Sequence, residues 1–226
     1  MLMPSDAVLP AMRDTISLSM TRRDALTLGL SLPVLAAPVL AAVEPGFRPL
    51  FDGKTLNGWD GNPELWSVKD GVIVGSTEGH PLKGNTFLIS KDKFQDFELR
   101  LDIKLRNHNS GVQFRSERVP DSDWVIRGLQ ADAAEGNWWG SIYDEKGKRG
   151  VIVNGWKGKG ETVVKADGWN QYSIWCKGGD IKVTLNGLVT SELHGEEPKS
   201  GVIALQLHAG PPMVAEFRNI RIQEFK

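Results

Sequence analysis

Residues 97–103 read Phe97-Glu98-Leu99-Arg100-Leu101-Asp102-Ile103, with apolar side chains at the odd positions and charged ones at the even positions. Successive side chains of a strand point to opposite faces, so this period of two predicts a strand with one buried and one polar face. Similar short runs lie on both sides of it. Strands are expected at 65–68, 72–75, 86–90, 111–116, 125–132, 171–177, 181–185, 201–208 and 215–225. The turns between them have suitable chemistry: Lys69-Asp70-Gly71-Val72, Lys177-Gly178-Gly179-Asp180 and Leu185-Asn186-Gly187-Leu188 supply Gly or Asn where a two-residue hairpin needs positive φ. From Phe47 onward no long stretch has the helical period, so the chain reads as an all-β sandwich of strands.

The composition narrows the function. With 27 Lys and Arg against 28 Asp and Glu in 226 residues, the chain has no basic excess with which to hold a phosphate backbone, and nucleic acid is a poor partner. A single cysteine, Cys176, leaves no internal disulfide and no Cys-x-x-Cys pair for zinc or redox chemistry.

Before the strands, residues 21–42 place Arg22-Arg23 ahead of an apolar stretch ending in small residues, the layout of an export signal. The arginine pair resembles a twin-arginine signal, although Ala25 stands where an aromatic is common. Pro33 and Pro38 interrupt the apolar run, so no stable membrane span is expected there. The expected organisation is an export region over 1–42, with the signal itself in 20–42 and cleavage near Ala41 or Ala42, followed by one domain over 43–226. A periplasmic or secreted location follows from that reading.

Four strands offer polar groups opposite their core residues. Glu98, Arg100 and Asp102 alternate with Leu99 and Leu101, Gln113 and Arg115 with Val112 and Phe114, Gln130 and Asp132 with Leu129 and Ala131, and Gln206 and His208 with Leu205 and Leu207. A merely wet face would be dominated by Lys and Glu. Gln, Arg, Asp and His instead donate and accept hydrogen bonds in fixed directions, which suits a neutral ligand rich in hydroxyls.

Several stretches in order resemble the 3-keto-disaccharide hydrolase domain family: residues 51–59 (FDGKTLNGW), 109–115 (NSGVQFR), 128–132 (GLQAD), 138–145 (WWGSIYDE) and 217–222 (FRNIRI). The resemblance covers nearly the whole of 43–226 and implies a concanavalin A-like jelly roll of two packed antiparallel sheets. It also implies a substrate, a 3-keto-glycoside whose C3 hydroxyl a separate sugar 3-dehydrogenase has already oxidised. A 3-ketone acidifies the C2 proton, so a base can remove it and the enolate can expel the C1 aglycone. Water then adds to the enone to complete net hydrolysis.

Such a site needs a base near C2, donors for the enolate oxygen and a proton source for the leaving group. Asp132 and His208 are the candidate base and acid, Arg115 the candidate holder of the 3-oxo group, and Glu145 a further candidate from the loop side. Asn109, Gln113, Gln130 and Gln206 are expected to bind hydroxyls, and Trp138, Trp139 and Tyr143 to stack on a sugar ring, with one of the two tryptophans in the core. Asp132, Glu145 and His208 could also bind a divalent metal ion, although no His-x-His or His-Glu-x-x-His spacing supports it. His80, His108 and His194 fall in loops and are expected on the surface, and the Gly-rich run 155–160 is expected to be a mobile loop or lid.

A conventional glycosidase needs two carboxyl groups flanking the scissile bond. Glu98 and Asp102 are four residues apart, about 13 Å, with Arg100 between them, and make a poor pair. Two rival functions fit the same residues: a carbohydrate-binding module without turnover, and a glycosidase whose carboxylates come from loops.

Overall fold

The computed structural model describes residues 44–226 apart from residue 198. The expected export region, 1–42, lies outside the described residues. Among the described residues, fifteen strands make up almost all the regular structure: β1 (Arg48–Pro49), β2 (Trp59–Asp60), β3 (Trp66–Lys69), β4 (Val72–Ser76), β5 (Thr86–Phe94), β6 (Phe97–Arg106), β7 (Asn109–Arg118) and β8 (Ile126–Ala134) come first. They are followed by β9 (Ile142–Glu145), β10 (Gly150–Val153), β11 (Asn170–Lys177), β12 (Asp180–Leu185), β13 (Leu188–Leu193), β14 (Gly201–Leu207) and β15 (Val214–Glu224). No helix among the described residues is long and apolar enough to cross a membrane.

The strands form two sheets with antiparallel pairing throughout, as the jelly-roll expectation requires. The first has the order β13-β12-β11-β6-β15-β4-β3, with β1 paired to β15, and the second the order β10-β9-β8-β7-β14-β5-β2. The three expected hairpins close where the sequence places them, with Lys69 opposite Val72, Lys177 opposite Asp180 and Leu185 opposite Leu188. Asp70 and Gly71, like Asn186 and Gly187, both take positive φ, the geometry that a tight right-twisted hairpin demands.

The core lies between the sheets. Phe97, Leu99, Leu101, Ile103 and Leu105, the apolar positions of β6, are all buried and pack with Ile174, Phe217 and Ile222 of neighbouring strands. Val112, Phe114, Leu129, Leu205 and Leu207 face them from the second sheet. The outer face of that second sheet is also covered. Phe87, Ile89, Ile126, Val202 and Ala204 form a separate buried cluster there, against which Trp124 packs from the β7–β8 connection. Trp124 is fixed by its indole N–H to Asp60 Oδ1 at 3.0 Å and by its carbonyl, which accepts Phe87 N–H at 3.0 Å.

The Gly-rich run expected as a lid is tied down instead. Gly155 N–H donates to Ser141 Oγ at 3.0 Å, Lys159 Nζ donates to the Thr190 carbonyl at 3.0 Å, and Gly160 is buried. The reason is steric as well as polar: a Cβ on Gly155 would lie 2.0 Å from the Gly140 carbonyl oxygen, so glycine permits this close approach.

Candidate functional site

Strand alternation brings Gln113, Gln130, Asp132 and Gln206 to the outer face of the second sheet, as expected. Register sets their neighbours: Gln113 stands opposite Gln130, Gln130 opposite Tyr143, and Asp132 opposite Gly111. The absence of a side chain at Gly111 makes room for the amide of Gln130, whose Cδ would be 2.5 Å from a Cβ at that position. Gly111→Ala is therefore expected to displace Gln130 and break its bond to Asp132 while the strands still form, which side-chain amide NMR and far-UV circular dichroism would measure together.

A continuous chain of hydrogen bonds runs through this face. Ser116 Oγ donates to Gln113 Oε1 at 2.6 Å, and Gln113 Nε2 to Gln130 Oε1 at 2.8 Å. Gln130 Nε2 donates to Asp132 Oδ1 at 2.7 Å and to Gln206 Oε1 at 3.3 Å. Gln206 Nε2 then donates to Glu145 Oε2 at 3.3 Å, and Asn85 Nδ2 to Glu145 Oε1 at 3.1 Å. The three glutamines are 0–2% exposed, so the expectation that they contact substrate hydroxyls is corrected. Their amides face one another, and their effect is to hold two carboxyl groups in place.

Asp132 is anchored through its backbone. Its N–H donates to the Ser141 carbonyl at 3.0 Å, and its own carbonyl accepts Gly140 N–H at 3.1 Å and the Tyr172 hydroxyl. Burial pushes its carboxyl from the ordinary 3.8 up to about 7, with the Gln130 bond opposing the shift and the nearby Glu145 adding to it. Burial also raises Glu145, against the bond from Asn85. A carboxyl raised in the folded state binds its proton more tightly there than in the unfolded chain. The stability it contributes is full below about pH 4 and is lost as pH rises through about 7. Melting temperature should fall over that window in the wild type, and Asp132→Asn should flatten the fall.

Around these carboxyls stand partly exposed groups. His208 follows β14, and its Nδ1 lies 2.6 Å from the Ala209 carbonyl oxygen, while Ala209 N–H donates to Asn85 Oδ1 at 3.0 Å. Asn109 begins β7 with its Oδ1 buried and, among the described residues, without a hydrogen-bond partner, an acceptor that a ligand hydroxyl would satisfy. Tyr143 is half-buried, its phenol raised by burial and then by Glu145, Asp132 and Asp144. Trp138 is half-buried in the loop after β8.

Two expected site residues lie elsewhere. Trp139 is a core residue, stacked on Tyr172 with ring centroids 6.1 Å apart and planes 10° apart, so of the two tryptophans only Trp138 is open to a sugar. Arg115 is corrected from the site to the interior. It takes φ 48° at a bulge where the β7–β8 register shifts between Phe114 and Glu117, and this reverses the facing that simple alternation gives. Its guanidinium bonds the Gln95 carbonyl at 2.6 Å, the Gly178 carbonyl at 2.6 Å and Asp96 Oδ1 at 2.9 Å, tying β7 to the β5–β6 connection between the sheets and to the β11–β12 turn of the first. Asn85, which sequence reasoning passed over, belongs to the site, and His108, expected on the surface, is corrected to a half-buried place against His208. Among the described residues, no group of three or more His, Cys, Asp and Glu side chains is arranged to hold a metal ion, so Asp132, Glu145 and His208 are not gathered as a ligand set.

A family model described as a 3-keto-alpha-glucoside-1,2-lyase-like domain matches residues 46–223. A 3-keto-disaccharide hydrolase of Bacteroides thetaiotaomicron is 37% identical over 87 residues, which span 34% of this chain and 30% of that protein. Among solved structures, a candidate glycosyl hydrolase from Parabacteroides distasonis superposes with a TM-score of 0.60 at 29% identity, over 79% of this chain and 99% of that one. A Bacillus subtilis protein of unknown function with a galectin-like fold superposes with a TM-score of 0.57 at 15% identity, over 79% of this chain and 94% of that one, a likeness of fold alone.

Proposed function

Because the chain belongs to the 3-keto-alpha-glucoside-1,2-lyase-like domain family, we propose that it cleaves 3-keto-glycosides by removing the C2 proton and eliminating the C1 aglycone. The observation that carries this reading is the buried carboxyl of Asp132, raised to about 7 by burial and held by Gln130 beside Glu145. Proton abstraction next to a ketone is fastest with a base whose proton affinity matches the working pH. Asp132 takes the C2 proton, and the electron pair moves into the C2–C3 enolate and then expels the C1 oxygen. His208, at the edge of the same face, accepts the proton of the water that adds to C1, while Glu145 protonates the departing aglycone oxygen. Glu145, also raised by burial, is held close by as a second proton carrier. Water adds to C1 of the enone and a proton returns to C2.

Asn109 Oδ1 and Tyr143 supply contacts to sugar hydroxyls, and Trp138 a face for the ring. The layout of residues 21–42 supports an exported enzyme, working on sugars that a dehydrogenase has oxidised at C3. Since Asp132 acts ionised, kcat/KM should rise with pH through about 7. A chromogenic 3-keto-glucoside and its unoxidised parent, each with and without a chelator, test the proposal. Release of aglycone from the keto sugar alone is the expected result. Equal release from the parent would replace it with an ordinary glycosidase, and silence from both, in folded protein, with a binding module.

A further inference from the structure

His108 occupies a place that a surface histidine does not need. With Asn107 it forms the two-residue connection by which the chain crosses from β6 of the first sheet to β7 of the second, both residues at positive φ, 64° and 68°. Left-handed backbone ordinarily favours glycine, because a Cβ is strained there. The connection is nevertheless fixed on three sides. Glu135 Oε1 accepts Asn107 N–H at 2.8 Å, Glu135 N–H donates to the His108 carbonyl at 2.9 Å, and Asn107 Nδ2 donates to the Pro212 carbonyl at 3.3 Å. The imidazole that results stands edge-to-face with His208, centroids 4.7 Å apart and planes at 89°. Room for it is made by Gly210, where a Cβ would come within 2.6 Å of His108 Nε2.

We infer that His108 is a positioning residue that locks the ring and tautomer of His208, an inference that rests on the proposed elimination for its catalytic consequence. His208 Nδ1 lies 2.6 Å from the Ala209 carbonyl oxygen, which can only accept, so Nδ1 carries the ring proton. His108 Nε2 lies 3.0 Å from that same Nδ1 and 3.2 Å from the same carbonyl, closing the other side of the contact. The ring can then neither flip nor exchange tautomers without losing both neighbours. His208 Nε2 makes no hydrogen bond among the described residues and is left as the unprotonated nitrogen that meets the substrate. Hydrogen bonds of this outer kind commonly fix which nitrogen of a working imidazole is bare.

His108→Asn separates this role from a structural one, because asparagine tolerates positive φ better than histidine and keeps the connection. Nitrogen-15 NMR of the histidine side chains should show one His208 tautomer in the wild type, protonated at Nδ1, and a mixture in His108→Asn. With 3-keto-glucoside as substrate, kcat should fall about 10- to 100-fold with KM within about twofold and the melting temperature unchanged. His108→Gln should behave likewise. A single retained tautomer, or an unchanged kcat, overturns the inference. If the wild type turns over no 3-keto-glycoside, the proposed function fails by itself, and the tautomer comparison alone decides whether His108 locks His208.

Discussion

Asp132→Asn is expected to lower turnover of a 3-keto-glycoside by about 1,000-fold in a protein that folds like the wild type. The substitution keeps the shape of the side chain and leaves an oxygen to accept the bond from Gln130 Nε2. The backbone at this position is held independently, by Ser141, Gly140 and Tyr172. What it removes is the ability to take a proton. A buried carboxylate is also a burden on the fold once ionised, so above about pH 7 the variant should be at least as stable as the wild type. Kinetics alongside thermal melts measure both effects. Activity near the wild-type level would assign the base to another group.

Arg115→Ala should act in the opposite way, destabilising the fold by about 3–5 kcal/mol with little change in turnover per folded molecule. The side chain is fully buried, and its removal strands the Gln95 and Gly178 carbonyls and leaves the carboxylate of Asp96 with Gly178 N–H but no counter-charge. The carboxylate is 26% exposed and recovers part of its hydration, which places the loss toward the lower end of that range. Denaturant unfolding measures the cost, and activity normalised to the folded fraction measures the rest. A stable but inactive variant would return Arg115 to the catalytic machinery.

The two residues illustrate what period-two alternation can and cannot specify. It located β6, β7, β8 and β14 and put Gln113, Gln130, Asp132 and Gln206 on one face, because facing follows from parity along an unbroken strand. Arg115 escaped that logic because the bulge between Phe114 and Glu117 resets parity, and no residue type in the stretch announces it. Nor could parity reveal what lies over a face. Trp124 comes from a connection between strands, so the apolar cluster beneath it was not legible. The glutamines have the chemistry of sugar binders, and only the register shows that they reach each other before they reach solvent. Short β9 and β10 lack enough residues to display a period, and β13 pairs with β12 through a register shift between Val183 and Thr184. Asn85 and His108 enter from loops, where position depends on the turn and not on a repeat.

Elimination requires that the C2 proton leave the sugar, whereas direct hydrolysis at C1 leaves it in place. The most direct measurement is therefore turnover of a 3-keto-glucoside in D2O, with NMR of the released sugar at early times against an enzyme-free control. The account predicts deuterium at C2 of the product, formed ahead of the control and lost with Asp132→Asn. Aglycone release with protium retained at C2 would contradict it.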